Sequence, residues 1–472
     1  MIRERAARRA AAALCAAAAL VGAPADAADG LYAGALDCQA LPGSAAVRMD
    51  IVAALRDGRA TWASGSPGTD GYNESALALA ADGTVTVTGH YLVGSERKPL
   101  ALAGRIDDRR IVASGRRGPR DCRLSLARPG PSGAQPPYRL PYDPAAVRAA
   151  AAPAKPRPCP APIAPLRDVI VEPFYRAGGH YSEVDPERMA SYRRALEPLR
   201  AYESAVSTQA DQAMRRVPGA AACVLALLDT WAEAEALLGT VTSQGGYERK
   251  WSSIAFALAF IENRDAATPA QALRIARWLR AIGDRVAQYY MRPPRPGLSD
   301  KANNHAYWAA LATSVAGIAA GDRDLLDWGL TRFAAALGDV DADGFLEREL
   351  MRGSKALHYH RFSIEPLLFL ALVARANAVA VAPDGQAALD RLIARVRAGL
   401  DDPAPFQART GQAQDFVGGQ DGTRAIGRND WSWAELALAL RPDAALEARV
   451  APQRPFAVRW LGGDLTLRYA RR

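Results

Sequence analysis

Hydrophobic and polar positions change their rhythm twice along the chain. In residues 30–128 apolar side chains alternate with polar ones in short runs, at 48–55, 76–80, 84–92, 100–106 and 122–126, and Asp57-Gly58 and Asp82-Gly83 follow the first two. Period two broken by Asp-Gly is the pattern of β-hairpins, because alternate side chains of a strand share a face and Asp-Gly suits a tight turn. A small antiparallel barrel or sandwich is therefore expected over 28–128. Between 129 and 158 the alternation stops and nine of thirty residues are proline, which reads as an extended linker. Beyond it apolar residues recur at helical spacing in 186–216, 220–238, 250–261, 269–290, 303–319, 325–337, 364–376 and 387–400. Eight or more successive helices with little strand between them suggest an α/α barrel or toroid over 159–472, although a bundle or solenoid has the same periodicity. The tail 456–469, broken by Gly462-Gly463, is expected to close the fold as a hairpin. The fold class is thus mainly α, a helical toroid preceded by a small antiparallel β domain.

The first residues change the picture of where this fold works. Arg3, Arg5, Arg8 and Arg9 precede an apolar run at 10–21 and the small-residue stretch Ala25-Asp26-Ala27, the pattern of a cleaved secretory signal peptide over 1–27. That run is about half a bilayer span, so a periplasmic or secreted protein without a membrane span is expected. Residues 1–27 hold four Arg, two acids and Cys15, so their removal lowers the formal charge from +9 by 2 to +7 and leaves four of five cysteines. Four cysteines in an oxidising compartment allow three disulfide connectivities. Cys38 and Cys122 flank the β block while Cys159 and Cys223 open the next, which favours pairing within each block. A basic exported chain has little occasion to meet nucleic acid, but it would concentrate an acidic polysaccharide at its surface.

Chemistry is concentrated in one stretch. Three of only five histidines, His305, His358 and His360, lie within 58 residues that also hold Asn303, Asn304 and Arg352. An Asn pair opening a helical segment also fits an N-cap, and His358-Tyr359-His360 also fits an ordinary strand or loop. A metal site is disfavoured because no acid accompanies the histidines and no Cys-x-x-Cys exists. Asp339-x-Asp341-x-Asp343-Gly344 looks like the start of a calcium loop but has Leu350 where the bidentate Glu belongs. Glu347 and Glu349 are too close in sequence to flank a glycosidic bond as opposed carboxylates, and no nucleophile elbow is present.

The run Asn303-Asn304-His305-Ala306-Tyr307-Trp308 is followed by Asp324-Leu325-Leu326-Asp327-Trp328 and Asp341-Ala342-Asp343-Gly344-Phe345-Leu346, then by Glu349-Leu350-Met351-Arg352 and Ala356-Leu357-His358-Tyr359-His360. In order and spacing these motifs resemble the helical-toroid alginate lyase family, with weaker similarity over 159–472 and none over the first 128 residues. The resemblance implies β-elimination on a uronic-acid polymer, most naturally polymannuronate, without metal or cofactor and by a single chain. It further implies that Asn304 and Arg352 neutralise the substrate carboxylate, that His305 is base or neutraliser, and that Tyr359 protonates the leaving oxygen. Tyr181, Lys250, Trp251 and Glu349 are then expected to contact the sugar. Removing the weakly acidic C5 proton drives charge into the carboxylate, so amide, imidazole and guanidinium donors aimed there act where charge develops. In mannuronate the C5 proton and the C4 oxygen share a face, so Tyr359 could serve as both base and acid; with opposed faces His305 would be the base. The chain departs from the family pattern in having Gly353-Ser354-Lys355 and His358 just before the tyrosine, and in the composition of 172–185, where the family carries a mobile lid. A polyglucuronate or mixed-uronate lyase is the alternative within the class. A non-catalytic exopolysaccharide-binding or export protein is the alternative outside it, and the presence of all four of Asn304, His305, Arg352 and Tyr359 argues against that.

Overall fold

The computed structural model describes residues 28–470 except 66, 108, 177–180, 295–298 and 419–422. The expected signal peptide, 1–27, lies outside the described residues. Two compact units divide at Pro129 and Gly130.

The first unit is an eight-stranded antiparallel meander: β1 (Gly30–Cys38), β2 (Val47–Leu55), β3 (Arg59–Ser64), β4 (Asn73–Leu79), β5 (Thr84–Val93), β6 (Glu96–Ile106), β7 (Arg110–Arg117) and β8 (Arg120–Ala127). The hydrogen-bonded order is β2-β1-β8-β7-β6-β5-β4-β3, which leaves β2 and β3 at opposite edges. These two strands are nevertheless joined by the tight turn at Asp57 (φ 50°) and Gly58 (φ 70°), across which Arg56 and Arg59 exchange both backbone hydrogen bonds, at 2.8 and 2.9 Å. Both φ values are left-handed, the requirement that Asp-Gly meets in a hairpin turn. The turn brings the two edges together, so the meander curls back on itself as a barrel. Its alternate residues, among them Tyr32, Leu36, Ile51, Trp62, Val87, Leu102 and Leu124, fill a single core. Cys38 faces Cys122 in the β1–β8 register and the two form a disulfide.

The second unit opens with residues 130–158, the stretch expected as an extended linker, and it is held against the helices. Ala134, Leu140 and Ala151 are buried, and Arg139 and Asn377 exchange hydrogen bonds of 2.9 Å in both directions. The Ser132 amide donates to Asp327 at 2.8 Å, Arg148 donates to the Glu262 carbonyl at 2.8 Å, and a short helix, α1 (Pro144–Ala150), is capped by Asp143. Proline here sets an extended path without freeing the chain, because the backbone groups it leaves are taken up by the helices. The Cys159–Cys223 disulfide then ties the segment to the helix Ala220–Glu233.

The helices are α2 (Pro186–Met214), α3 (Ala220–Glu233), α4 (Ser243–Asn263), α5 (Pro269–Tyr290), α6 (Asn304–Ala320), α7 (Arg323–Leu337), α8 (Glu347–Leu350), α9 (Ala356–Ala376), α10 (Pro383–Asp401), α11 (Ala404–Thr410), α12 (Trp433–Leu440), α13 (Ala444–Val450) and α14 (Leu465–Tyr469). Burial alternates along this series. Helix α6 buries 15 of its 17 residues, whereas α10 buries 6 of 19, spaced three and four apart on one face. Helices α4, α6, α9 and α12 are thus inner and α5, α7 and α10 outer, as amphipathic helices laid over apolar ones must be. Helix α9 starts eight residues before the apolar periodicity suggests, so His358-Tyr359-His360 is helical and not the strand or loop that its composition also allows. Only two residues on each side of the tail pair as strands, at 457–458 and 463–464, and the rest of the expected hairpin is α14. Arg468 of α14 is fully buried between Glu262 and Asp211 and clamps the tail to α4 and α2.

Candidate active site

A cavity of about 1050 Å³ opens where the first turns of α6 and α9 and the first half of α4 converge. Helix N-termini carry partial positive charge, and three such elements facing one space suit an anionic guest. Among the described residues seven arginines line it, against the two acids Glu197 and Asp300.

His305 sits in the first turn of α6, where the Asn303 side chain caps the helix by accepting from the His305 amide at 3.0 Å. Its ring stacks on Tyr247 at 3.9 Å between centroids and lies 5.7 Å from Trp251. Loss of solvent, then Lys250 and Arg352, push its pKa well below the usual histidine value, so the imidazole is neutral near pH 7.

Arg352 and Tyr359 form the opposite wall. The guanidinium carbon lies 3.6 Å from the centre of the Tyr359 ring, and one Arg352 nitrogen donates to the Tyr181 carbonyl at 2.9 Å. Burial alone would lower the Arg352 pKa, but Tyr359, Tyr175 and Glu349 outweigh it and raise it, which keeps the cation charged in a largely dry position. The Tyr359 hydroxyl is hydrogen-bonded to the Tyr175 hydroxyl, which comes from a segment 184 residues earlier. Burial and the neighbouring Tyr359 oxygen hold Tyr175 well above the ordinary tyrosine pKa, so Tyr175 is a neutral phenol.

The other expected contacts divide in two. Tyr181 and Trp251 line the cavity, Trp251 with the Trp460 ring stacked on it at 4.9 Å. Lys250 and Glu349 are not among the residues that line it, and both side chains have no solvent exposure. Glu349 instead accepts from the Asn304 backbone amide at 2.7 Å and from its side-chain amide at 3.1 and 3.0 Å. Asn304 is itself fully buried, so it stands behind the wall that Asn303 and His305 present. Lys250 donates to the Tyr290 hydroxyl at 2.8 Å and to the His305 carbonyl at 3.0 Å.

His358 and His360, one residue to either side of Tyr359, part company. His358 lines the cavity beside Tyr359, its pKa well below normal through burial and then Arg361 and Arg424. His360 points away, with Nδ1 against the Ala356 carbonyl and Nε2 accepting the Leu346 amide, both at 2.8 Å, and burial lowers its pKa to about 4. Neither nitrogen is left for a metal. Asp341 and Asp343 are both paired with Arg409 at 3.4 Å, an arrangement that puts a fixed cation where a calcium loop would hold its ion. Among the described residues no three of His, Cys, Asp and Glu are grouped to hold a metal ion.

Tyr247, Tyr289, Arg459 and Trp460 belong to the cavity although no motif marks them, and Tyr175 joins them from the 172–185 stretch. Tyr247 and Trp251 at i and i+4 on one helix face were a readable signal, whereas Tyr175 and Trp460 arrive from distant segments.

Residues 178–406 match the family model described as alginate lyase. An alginate lyase of Azotobacter vinelandii (strain DJ) is 35% identical over 337 residues, covering 69% of this chain and 86% of the relative. A polysaccharide lyase of Stenotrophomonas maltophilia (strain K279a) is 33% identical over 319 residues, covering 66% of this chain and 90% of its own. In fold, the crystal structure of alginate lyase A1-III from Sphingomonas species A1 superposes with a TM-score of 0.58 at 24% identity, over 72% of this chain and 97% of that one. A tyrosine-to-phenylalanine variant of the same lyase, complexed with a tetrasaccharide, gives 0.59 at 25% identity, over 72% and 96%. With a relative 35% identical matched over most of its length, the chain belongs to the alginate lyase family.

Proposed function

We propose that this chain is an exported polysaccharide lyase that cleaves alginate at mannuronate by β-elimination, on an α/α toroid that works as a monomer. The observation that carries the reading is the convergence of Arg352, Tyr359 and His305 on one arginine-rich cavity. The toroid reading rests on the alternation of inner and outer helices and the likeness to A1-III. Export rests on the pattern of residues 1–27 and on the two disulfides. Every catalytic group named comes from one chain, which is why the working unit is read as a monomer.

In this mechanism the polymer's carboxylate docks on Arg352, whose charge stabilises the enolate that forms as C5 loses its proton. The C5–H electron pair becomes the C4–C5 double bond, the C4–O4 bond breaks, and Tyr359 delivers its proton to O4. The base is either Tyr359 itself or His305; the two routes differ in which imidazole nitrogen carries the proton. Asn304, buried against Glu349, sets the helix start that aims His305. Trp251 and Tyr181 supply surfaces for sugar rings.

His358 favours a second reading in which glucuronate is accepted as well. Glucuronate shares the C4 and C5 arrangement of mannuronate and differs at C2, so the same proton-transfer groups serve both, and a polar ring beside Tyr359 adds a hydrogen-bonding partner. Assay of the full chain on polymannuronate, polyguluronate and polyglucuronate, following ultraviolet absorbance of unsaturated product, tests both readings. Activity on polyguluronate alone would overturn them.

A further inference from the structure

We propose that one end of the eight-stranded barrel is a second binding site, which takes the carboxylate of an acidic sugar on Arg117. The identity of the sugar rests on the uronan reading above; the need for an anion does not.

The basic run at 116–123 divides by strand alternation. Arg116 and Arg123 are exposed on the outer wall, whereas Arg117, last in β7, and Arg120, first in β8, face inward and are each only 9% exposed. They stand opposite each other across the β7–β8 turn. The register brings two more inward residues to the same end: Asn73 of β4 pairs with Tyr91 of β5, Tyr91 with Lys98 of β6, and Leu100 of β6 with Arg117. Further in, the inner face is apolar, with Leu77, Val87, Leu102, Ala113 and Leu124. A filled apolar barrel with a polar mouth is a frequent seat for a ligand.

The cations of this mouth lack counter-charges. Nearby acids are taken by other cations, Asp121 by Arg116 at 3.7 Å and Glu96 by Lys98. Arg120 spends its donors on the loop after β1, giving them to the Gln39 and Ala45 carbonyls at 2.7 and 2.8 Å and to the Ser44 hydroxyl. Arg117 has no side-chain hydrogen bond or ion pair among the described residues; its guanidinium carbon lies 3.6 Å from the centre of the Tyr91 ring. Gly118 in the turn makes room for that ring, because a Cβ there would stand 2.3 Å from the Tyr91 hydroxyl oxygen. A ring face attracts the charge but uses none of the five N–H donors, and a guanidinium does not shed its proton to escape burial. Two such charges side by side repel, and an anion at the mouth offsets both the repulsion and the desolvation. Held flat on Tyr91 with its fork unspent, Arg117 is preorganised for the two oxygens of a carboxylate.

Asn73 narrows the ligand further. Its Oδ1 is buried and has no hydrogen-bond partner, a costly state for an acceptor. A carboxylate has no proton to give it, but a hydroxyl on the same molecule has. Chloride or sulfate would answer the cations and leave Asn73 as it is; a uronic acid, with carboxylate and hydroxyls on one ring, answers both.

The test is calorimetric titration of the full chain with a mannuronate trimer, in a Tyr359→Phe background that stops turnover. Arg117→Met in that background should remove one binding site. If Arg117→Met does not fold, Arg117→Lys, which keeps the charge and loses the fork, should weaken that site by about tenfold or more. A neutral mannose trimer should leave the site unfilled, and inorganic phosphate should bind there about tenfold more weakly than the acidic trimer. The proposal is overturned if the Arg117 variant titrates like its parent, if the neutral trimer fills the site, or if phosphate binds as tightly as mannuronate. With Tyr359 intact, Arg117→Met should keep the parent's kcat on short oligosaccharides. An inactive parent that still loses a site with Arg117→Met would fault the lyase reading alone; an active parent that loses none would fault this inference alone.

Discussion

Replacing Tyr359 by phenylalanine removes one oxygen from the cavity wall and keeps the ring on which Arg352 rests at 3.6 Å. Two consequences separate cleanly. The lost hydrogen bond to Tyr175 is a buried hydroxyl–hydroxyl pair, worth about 1 kcal/mol of stability, a small part of what holds a unit of this size. The lost acid is worth far more to the reaction: a positioned proton donor contributes about 10²- to 10⁴-fold, or about 3–5 kcal/mol of barrier. Steady-state kinetics on polymannuronate should show kcat falling in that range with KM within a few fold, since Arg352, Trp251 and Tyr181 still bind. Tyr175→Phe is the control, because it breaks the same hydrogen bond and leaves the acid in place; its kcat should fall by no more than about tenfold. If the two variants lose kcat equally, or if Tyr359→Phe keeps kcat within a few fold of the parent, the phenol only packs and its assignment as acid is refuted.

Treatment with a chelator should leave lyase activity unchanged, because Arg352 supplies the charge that a metal would and Arg409 occupies the Asp341–Asp343 pair; loss of activity restored by zinc or calcium would contradict this. His360 should make the fold acid-sensitive: its folded pKa of about 4 lies below the unfolded value near 6.5, so its contribution is present above pH 6.5 and lost as pH falls through 4. That loss amounts to about 3 kcal/mol, and urea titrations across pH should show a flatter profile in His360→Gln. Deleting 28–129 should leave a folded helical unit active on short oligosaccharides, since each unit has its own core, whereas deletion through 158 should lower the melting temperature by stripping Ser132, Arg139 and Arg148 from their partners. Equal stability of the two truncations would show that the strap is dispensable.

What was legible in the sequence follows from how local each signal is. Strand alternation and the Asp57-Gly58 turn are local, and the β unit follows them; closure of its edges was not legible, because it depends on which strand β2 meets. The helices were legible where apolar residues keep a period, and the start of α9 was missed because Leu357-His358-Tyr359-His360 breaks that period while helical hydrogen bonding continues. Proline density between 129 and 158 reports an extended backbone but not its partners, which lie up to 238 residues away at Asn377. The motifs located the cavity through His305, Arg352 and Tyr359. They could not say on which side of the wall Lys250, Asn304 and Glu349 stand, since a polar residue type looks alike in a site and behind it.

The central claim, β-elimination rather than hydrolysis, is tested most directly by the products. Purified full chain incubated with polymannuronate should release oligosaccharides that absorb in the ultraviolet through a C4–C5 double bond at the new non-reducing end, each lighter by one water than the corresponding hydrolysis product. New reducing ends that appear without the double bond and with the water added would show that the cavity hydrolyses its polymer, and would contradict the roles given to Arg352, His305 and Tyr359.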